Sequence, residues 1–316
     1  MELEPRHLRV VRAIADEGSI TRAASVLGVS QPALTAQLRR IEEAAGAPLF
    51  ARHVRGVEPT PLGEYLIARS RAILADLEDL AGGLRRRVGG EYAHELRLGG
   101  VSGPITVGLA DRLAAAFPQW RVDMRAEYSP RLLLDLVATG RLDMAAVVDY
   151  PGRELATPSH VDGCAVVADP VFVAMGAGHR LAEFEEIELC DLAGEPWVLP
   201  RSDGAGWPEY FTHTCRESGF SPVVGHHVAE TRLLHELLSA GKGLVPCQAT
   251  FPAPEGVVVR PLAGSPMWVR HRLLWHRASP VAAYGMRLGT LAVEAYEACA
   301  GLRPQYLRWR RRHGGA

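Results

Sequence analysis

Three patterns predict an α/β chain that opens with a mainly α, winged helix-turn-helix. Two short amphipathic helices, "SITRAASVLG" and "VSQPALTAQLRR", meet at a glycine. A leucine-striped helical stretch follows from residue 61. Beyond residue 93 the apolar period changes, and strand-like runs alternate with helical ones, as in α/β units built on a mostly parallel sheet.

The front elements follow in order. Leu8, Val11, Ile14 and Ala15 recur at helical spacing and end at Gly18. Ser19 stands as N-cap to a helix from Ile20 to Leu27. Gly28 punctuates, Ser30 caps the next helix, and Pro32 falls in its first turn, where a missing N–H is tolerated. That helix runs to Ala45 and stops at Gly46, with Leu34, Leu38 and Ile41 as its inner face. Ala23 and Ala24 let the two helices approach closely. Ile20, Leu27, Val29, Leu34 and Leu38 are expected to fill the core behind them. Val54, Arg55, Gly56 and Val57 read as a turn between two short extended pieces, a wing. Thr60 caps the following helix, with Pro61 in its first turn. Leu66, Ile73 and Leu80 are seven apart, and Leu62, Leu77 and Leu84 thicken the stripe, which suits a partner helix. "RRRVGGEY" ends it with a Gly-Gly hinge.

The later strand-like runs are "ELRLGGV", "RVDMRAEY", "LDMAAVV", "PVFVAMG", "PWVLP", "GLVP", "VVVRPL" and "VRHRLLWHR". Helical patterns between them include "LADRLAAAF", "PRLLLDLVATG" and "TRLLHELLSAG". The final "YLRWRRRHGGA" reads as a basic, disordered tail.

Composition narrows the function. The chain has 316 residues, 47% hydrophobic and 22% charged, as in an ordinary globular protein of two or three units. Its net charge is −1, so any nucleic-acid signal must be local. Five scattered cysteines without a C-x-x-C suit reduced thiols and a cytoplasmic setting. No signal-peptide core and no run of 18 apolar residues occur, so no membrane partner is expected.

A helix-turn-helix places the N-terminal turn of its second helix in a major groove. That turn carries Ser30, Gln31, Pro32 and Thr35, with Gln37, Arg39 and Arg40 further along. Arg52 and Arg55 decorate the wing, and Ser19 joins them as a candidate DNA contact. Helix capping alone also accounts for Ser30, and a solvated face for Arg39.

These residues closely resemble the N-terminal domain of the LysR-type transcriptional regulators. "GSITRAA", "VSQPALT", "RRIEEAAGAPLF" and "PTPLGE" stand in that family's order and spacing. "GRLDMAAV", "LAGEPWVLP", "ESGF" and "LLSAGKGLVP" look like its effector-domain landmarks. The resemblance implies recognition-helix contacts at Ser30, Gln31, Pro32 and Thr35, a basic contact at Arg39 and a wing contact at Arg52. It implies double-stranded promoter DNA as partner, a homodimer or homotetramer, and RNA polymerase as a further candidate contact. Residues 1–60 would read DNA, 61–90 would form a dimerising linker helix, and 91–302 would bind an effector. The effector domain would be two Rossmann-like α/β lobes, like periplasmic binding proteins, at about 94–165 plus 267–300 and about 166–266. Residues 303–316 would be the tail. Two departures stand out. The family often has a long polar or basic residue where this chain has Ala36, and a longer segment with a Leu-Pro between "LRLGG" and "AFPQW". The second departure leaves the first wall of the pocket open, reshaped or without function, and makes ligand-independent behaviour a live alternative.

Ligands of open α/β units sit at strand carboxyl ends and helix N-termini. Ser102 and Thr106 follow the first strand, Ser129 the second, Asp149 and Tyr150 the third. Arg201 and Ser202 follow "PWVLP", Glu230 and Thr231 open a helix, and Cys247 and Gln248 follow "GLVP". Arg201 would suit a carboxylate in two-point fashion, or equally a surface ion pair. Capping alone accounts for Ser102, Ser129 and Thr231 taken singly. No cofactor or metal is expected, only a small-molecule effector. "GGVSGP" lacks the second glycine of a nucleophile elbow because Pro104 stands there. His226, His227, Glu230 and His235 do not form a zinc spacing. Cys190 and Cys215 read as buried, inert thiols and not as a redox pair. The chain therefore reads as a regulator and not an enzyme, the alternative being a solute-binding or ligand-independent module.

Overall fold

Helix α1 (Pro5–Glu17) buries Leu8, Val11 and Ile14 on one face and ends at Gly18 in the left-handed conformation. The computed structural model describes residues 3–53, 56–70, 73, 74, 77, 81, 95–200, 202–228 and 230–314. The chain forms two units, Met1–Ala93 and His94–Ala316.

In the first unit, the Ser19 hydroxyl accepts from the Arg22 amide to start α2 (Ile20–Val26), and Ser30 accepts from Ala33 to start α3 (Gln31–Ala45). Ala23 and Ala24 are buried where α2 meets its neighbours. Strands β1 (Phe50–His53) and β2 (Gly56–Pro59) form the antiparallel wing. Glu42 of α3 accepts from the Leu49 and Phe50 amides at 2.8 and 3.3 Å, which fixes the wing's root to the recognition helix. Gly56 must be glycine: its φ is +140°, and a Cβ there would overlap the Gly18 carbonyl oxygen, which accepts from the Val57 amide. Helix α4 begins after Thr60, whose hydroxyl accepts from Gly63, and is helical over 61–70.

One core expectation fails here. Val29 is 43% exposed. Its amide closes the turn onto the Ala24 carbonyl, which turns its side chain to water. Val10, Leu49, Phe50, Val57 and Ile67 complete the core instead. Of the heptad stripe, Ile73 is 46% exposed, as an unpartnered seam would be, while Leu74 beside it is buried. Leu80 and Leu84 lie outside the described residues.

The second unit is built on a seven-stranded mixed sheet. Strands β3 (Glu95–Gly100), β4 (Arg121–Ala126) and β5 (Met144–Asp149) are parallel, with α5 (Thr106–Ala116) and α6 (Pro130–Ala138) as crossovers. The long β6 (Val161–Gly176) then carries the chain into the second lobe, and β11 (Trp268–His276) brings it back, antiparallel to both β5 and β6. The first half of β6 pairs with β11. Its second half pairs with β9 (Val245–Gln248) and β10 (Val257–Pro261). The lobes thus change over at Pro170, opposite Trp268, a few residues beyond the expected 165. Strands β7 (Pro196–Leu199) and β8 (Val223–His227) pair in parallel around α7 (Trp207–Glu217), and α8 (Thr231–Ser239) leads to β9. Helix α9 (Gly285–Ala300) packs on α5 and β6. The parallel sheet expected from sequence is confined to the lobes; the two crossover strands make the joined sheet mixed.

Buried charges bind strand to strand. Arg97 on β3 clamps Asp143 with two guanidinium bonds of 3.0 Å, and its own amide adds a third at 2.9 Å. Asp149, fully buried, accepts from Arg270 at 2.8 Å and Arg272 at 3.1 Å on β11.

The expected disordered tail is instead a helix, α10 (Pro304–His313). Tyr306 and Trp309, one turn apart, are buried and stack edge-on against Phe172 of β6; Trp309 also meets Trp268. The arginines occupy the opposite face, where Arg310 pairs with Glu297 and Arg312 with Glu185 at 2.7 and 2.6 Å. Two aromatic anchors outweigh the run of like charge, because that charge stays solvated and partly neutralised.

Candidate DNA interface and effector cleft

The first turn of α3 presents its polar groups to solvent. Gln31 and Pro32 are exposed and Thr35 is half-buried. The Gln31 amide donates to the Thr35 hydroxyl at 3.3 Å, which holds both on one side of the helix. Ser30 caps with its hydroxyl, and Ser19 does the same for α2. Arg39 is exposed and paired with Glu43 at 3.1 Å, and Arg40 donates to the Ala36 carbonyl at 3.4 Å. Both guanidinium groups are tethered loosely at the surface, Arg39 by a carboxylate and Arg40 by a carbonyl, and exchanging either partner for a phosphate costs little. Arg52 sits in β1, although its side chain is not among those described, and Arg55 lies outside the described residues. Ala36 is exposed beside Thr35, so α3 carries a gap in its polar face there.

In the second unit a cleft of about 520 Å³ opens at the lobe junction. Its first wall is the short segment Val101, Ser102, Gly103 and Pro104. The missing Leu-Pro stretch has thus shortened this wall without removing it. Gly100 just before it is needed, since a Cβ would overlap Thr106. Tyr128, Tyr150 and Trp207 supply aromatic surface, Val171 and Val269 come from the crossover strands, and Thr231, Cys247, Gln248, Thr250, Phe251 and Arg303 complete the other side.

Of the residues chosen from sequence, Ser102, Tyr150, Thr231, Cys247 and Gln248 line this cleft. The others are engaged elsewhere. Thr106 is buried and donates to the Val101 carbonyl at 2.7 Å, which shapes the wall from behind. Ser129 caps α6 and donates to the Asp203 carbonyl at 2.7 Å. Asp149 is held by its two arginines. Ser202 accepts from Gly204 at 3.4 Å. Glu230 caps α8 by accepting from Arg232 and Leu233, and those bonds hold its carboxyl below the usual carboxylate range. Arg201 lies outside the described residues.

Asp203 went unnoticed in the sequence although it organises this region. One carboxylate oxygen accepts from the amides of Ala205, Gly206 and Trp207 at 2.9, 2.9 and 3.1 Å, and so caps α7. The other accepts from the Tyr150 hydroxyl at 2.8 Å. Burial, reinforced by the Asp203 charge, pushes the Tyr150 hydroxyl well above its ordinary range, so it stays a donor. The signal was available: an aspartate followed by Gly-Ala-Gly-Trp-Pro is a helix start. Cys190 is exposed, against expectation, because the short turn Leu189–Leu192 buries its two leucines instead; Cys215 and Cys247 are buried, and burial raises both thiols, that of Cys215 to about 12. Neither is poised for redox chemistry at neutral pH.

Comparison with known proteins bears on both sites. Residues 5–64 match the bacterial regulatory helix-turn-helix proteins of the lysR family, and residues 89–285 match the LysR substrate binding domain. The small neutral protease regulatory protein of Streptomyces coelicolor is 33% identical over 280 residues, 88% of each chain. The Escherichia coli K12 protein named uncharacterized HTH-type transcriptional regulator YnfL is 32% identical over 296 residues, 89% of this chain and 96% of its own. Among solved structures, full-length CbnR complexed with its target DNA has the same fold, with a TM-score of 0.63 at 19% identity, over 94% of this chain and all of CbnR. With its capped recognition helix, its wing and its two-lobed domain, the chain belongs to the LysR family of DNA-binding transcriptional regulators.

Proposed function

We propose that this chain is a cytoplasmic homodimer or homotetramer that reads paired half-sites in promoter DNA and is set by a small molecule held in the lobe-junction cleft. The observation that carries the DNA half is the first turn of α3, where Gln31 and Thr35 are oriented together at an exposed, capped helix N-terminus. With Ser30 bonded to the Ala33 amide and one Gln31 N–H on Thr35, the Gln31 side chain keeps its carbonyl oxygen and second N–H to meet a base edge. The cleft binds and does not transform: its described lining includes no histidine or lysine that would activate Ser102 or a thiol. Neither a cofactor nor a metal takes part. Effector binding would shift lobe or subunit geometry, and with it DNA bending and contact with RNA polymerase.

Fluorescence anisotropy on the intergenic duplex beside the chain's own gene, against a scrambled duplex, tests this reading. A preference of about a hundredfold or more, falling steeply with salt, is the expected result. Equal and weak binding to both duplexes, with tight binding of a small ligand, would replace it with a solute-binding module.

A further inference from the structure

Two carboxylates and one described cation line the cleft: Glu127, Asp203 and Arg303. The carboxylates are already matched. Glu127 accepts from Arg125 at 2.7 Å, and Asp203 is filled by three backbone amides and the Tyr150 hydroxyl. Arg303 is not matched. Its Nε donates to the Thr250 carbonyl at 2.9 Å, a neutral acceptor, and among the described residues no carboxylate pairs with it. The charges of the described lining therefore offset one another, but Asp203 has its oxygens taken up by the fold, and Arg303 is the charged group with donors left for a ligand.

Arg303 reaches this position because α10 is folded. It is the residue before the helix, and Gln305 donates to the Phe251 carbonyl at 3.4 Å, so two bonds pin the helix start to the segment after β9. Tyr306 and Trp309 anchor the rest. With Nε committed to a backbone carbonyl, the plane of the guanidinium is set and its two terminal nitrogens remain for a ligand. That is the fork a carboxylate matches. Gln248 and Ser102, which line the same cleft, supply further hydrogen-bonding groups, and Phe251, Pro104 and Val198 an apolar surface.

Building on the effector reading above, we infer that the ligand is a small organic acid with an apolar body, and that α10 supplies, through Arg303, the cation that selects it. The C-terminal helix is then part of the binding site and not an appendage.

Isothermal titration of the full-length protein with 4-phenylbutyrate, 4-phenylbutanamide and 4-phenylbutylamine reads the charge preference directly. The acid is expected to bind at least tenfold more tightly than either the amide or the amine. Arg303→Gln should weaken the acid at least tenfold and leave the amide unchanged, while Arg303→Lys should keep part of the preference. Thermal melts of both variants check that α10 remains docked. If Arg303→Gln unfolds, the Arg303→Lys result decides alone, a point charge without the fork weakening the acid by severalfold. An acid that binds no better than the amide, or an affinity indifferent to both variants, overturns the inference and leaves the cleft a ligand site. Failure of all three compounds to bind overturns this inference and counts against the effector reading as well.

Discussion

Gln31 has two duties that a single substitution separates. Its amide steadies Thr35 and is also an exposed long polar group at the start of α3. Gln31→Ala should lower operator affinity by about 1–3 kcal/mol while leaving the melting of the protein unchanged, as anisotropy and calorimetry would show. Arg39→Ala should cost affinity on the same scale, since the ion pair it loses with Glu43 is exposed and contributes little to folding. Asp203→Ala is the opposite case. It strands three amides and a buried hydroxyl, and urea unfolding should register a loss of about 3 kcal/mol or more. These contrasts explain what could be read in advance. Ser19, Ser30 and Thr60 were legible as caps because a cap acts within three residues of itself. Asp149 was legible as a strand-end polar residue but not as the partner of Arg270 and Arg272, which lie more than 120 residues away. Sequence spacing holds no trace of such a pair.

Elements were legible where apolar residues recur and obscure where they do not. The buried runs of β5 and the second half of β6 announced themselves. Strand β8 did not, since it is exposed along its whole length and contains Gly225, His226 and His227. The first half of β6 was lost for the same reason: Asp162 and Gly163 interrupt it, and its burial alternates. Helix α10 was hidden by its arginines. It also meets an interior polar group: Tyr296 of α9 donates to Asp169 on β6, and the Tyr306 hydroxyl lies 2.9 Å from that of Tyr296. A chain ended after Gly301 loses the burial of Tyr306 and Trp309. At about 3 kcal/mol or more for each large aromatic, the truncated protein should melt well below the full chain or aggregate, as a thermal scan would reveal.

At the scale of the molecule, the buried titratable groups set an alkaline limit. Burial raises the thiols of Cys215 and Cys247 and the hydroxyls of Tyr150 and Tyr296. Each is held protonated in the native state and released in the unfolded one. The native chain therefore binds more protons, and its stability falls with pH once the unfolded groups ionise, from about 9 for the thiols, until the folded value near 12 for Cys215 is passed. Urea unfolding at pH 7, 9 and 10 should show a steady decline beginning near 9. A flat profile would mean that these groups are solvated in the native state. The net charge of −1 gave no warning of this, because neutral buried acids are invisible to a charge count.

The route of the main chain through the sheet has a consequence for biosynthesis. Strand β11 lies between β5 and β6, yet it emerges from the ribosome more than 90 residues after the end of β6. Until then the first lobe has β3, β4 and β5 with one edge open, and the starting half of β6 has no neighbour on that side. The second lobe, in contrast, holds β9 and β10 within the same stretch and can close on the last part of β6 first. The nascent protein should thus complete its later lobe before its earlier one, and pass through an interval in which two sheet edges wait for the same strand. Emergence of β11 ends that interval, and α10 follows it.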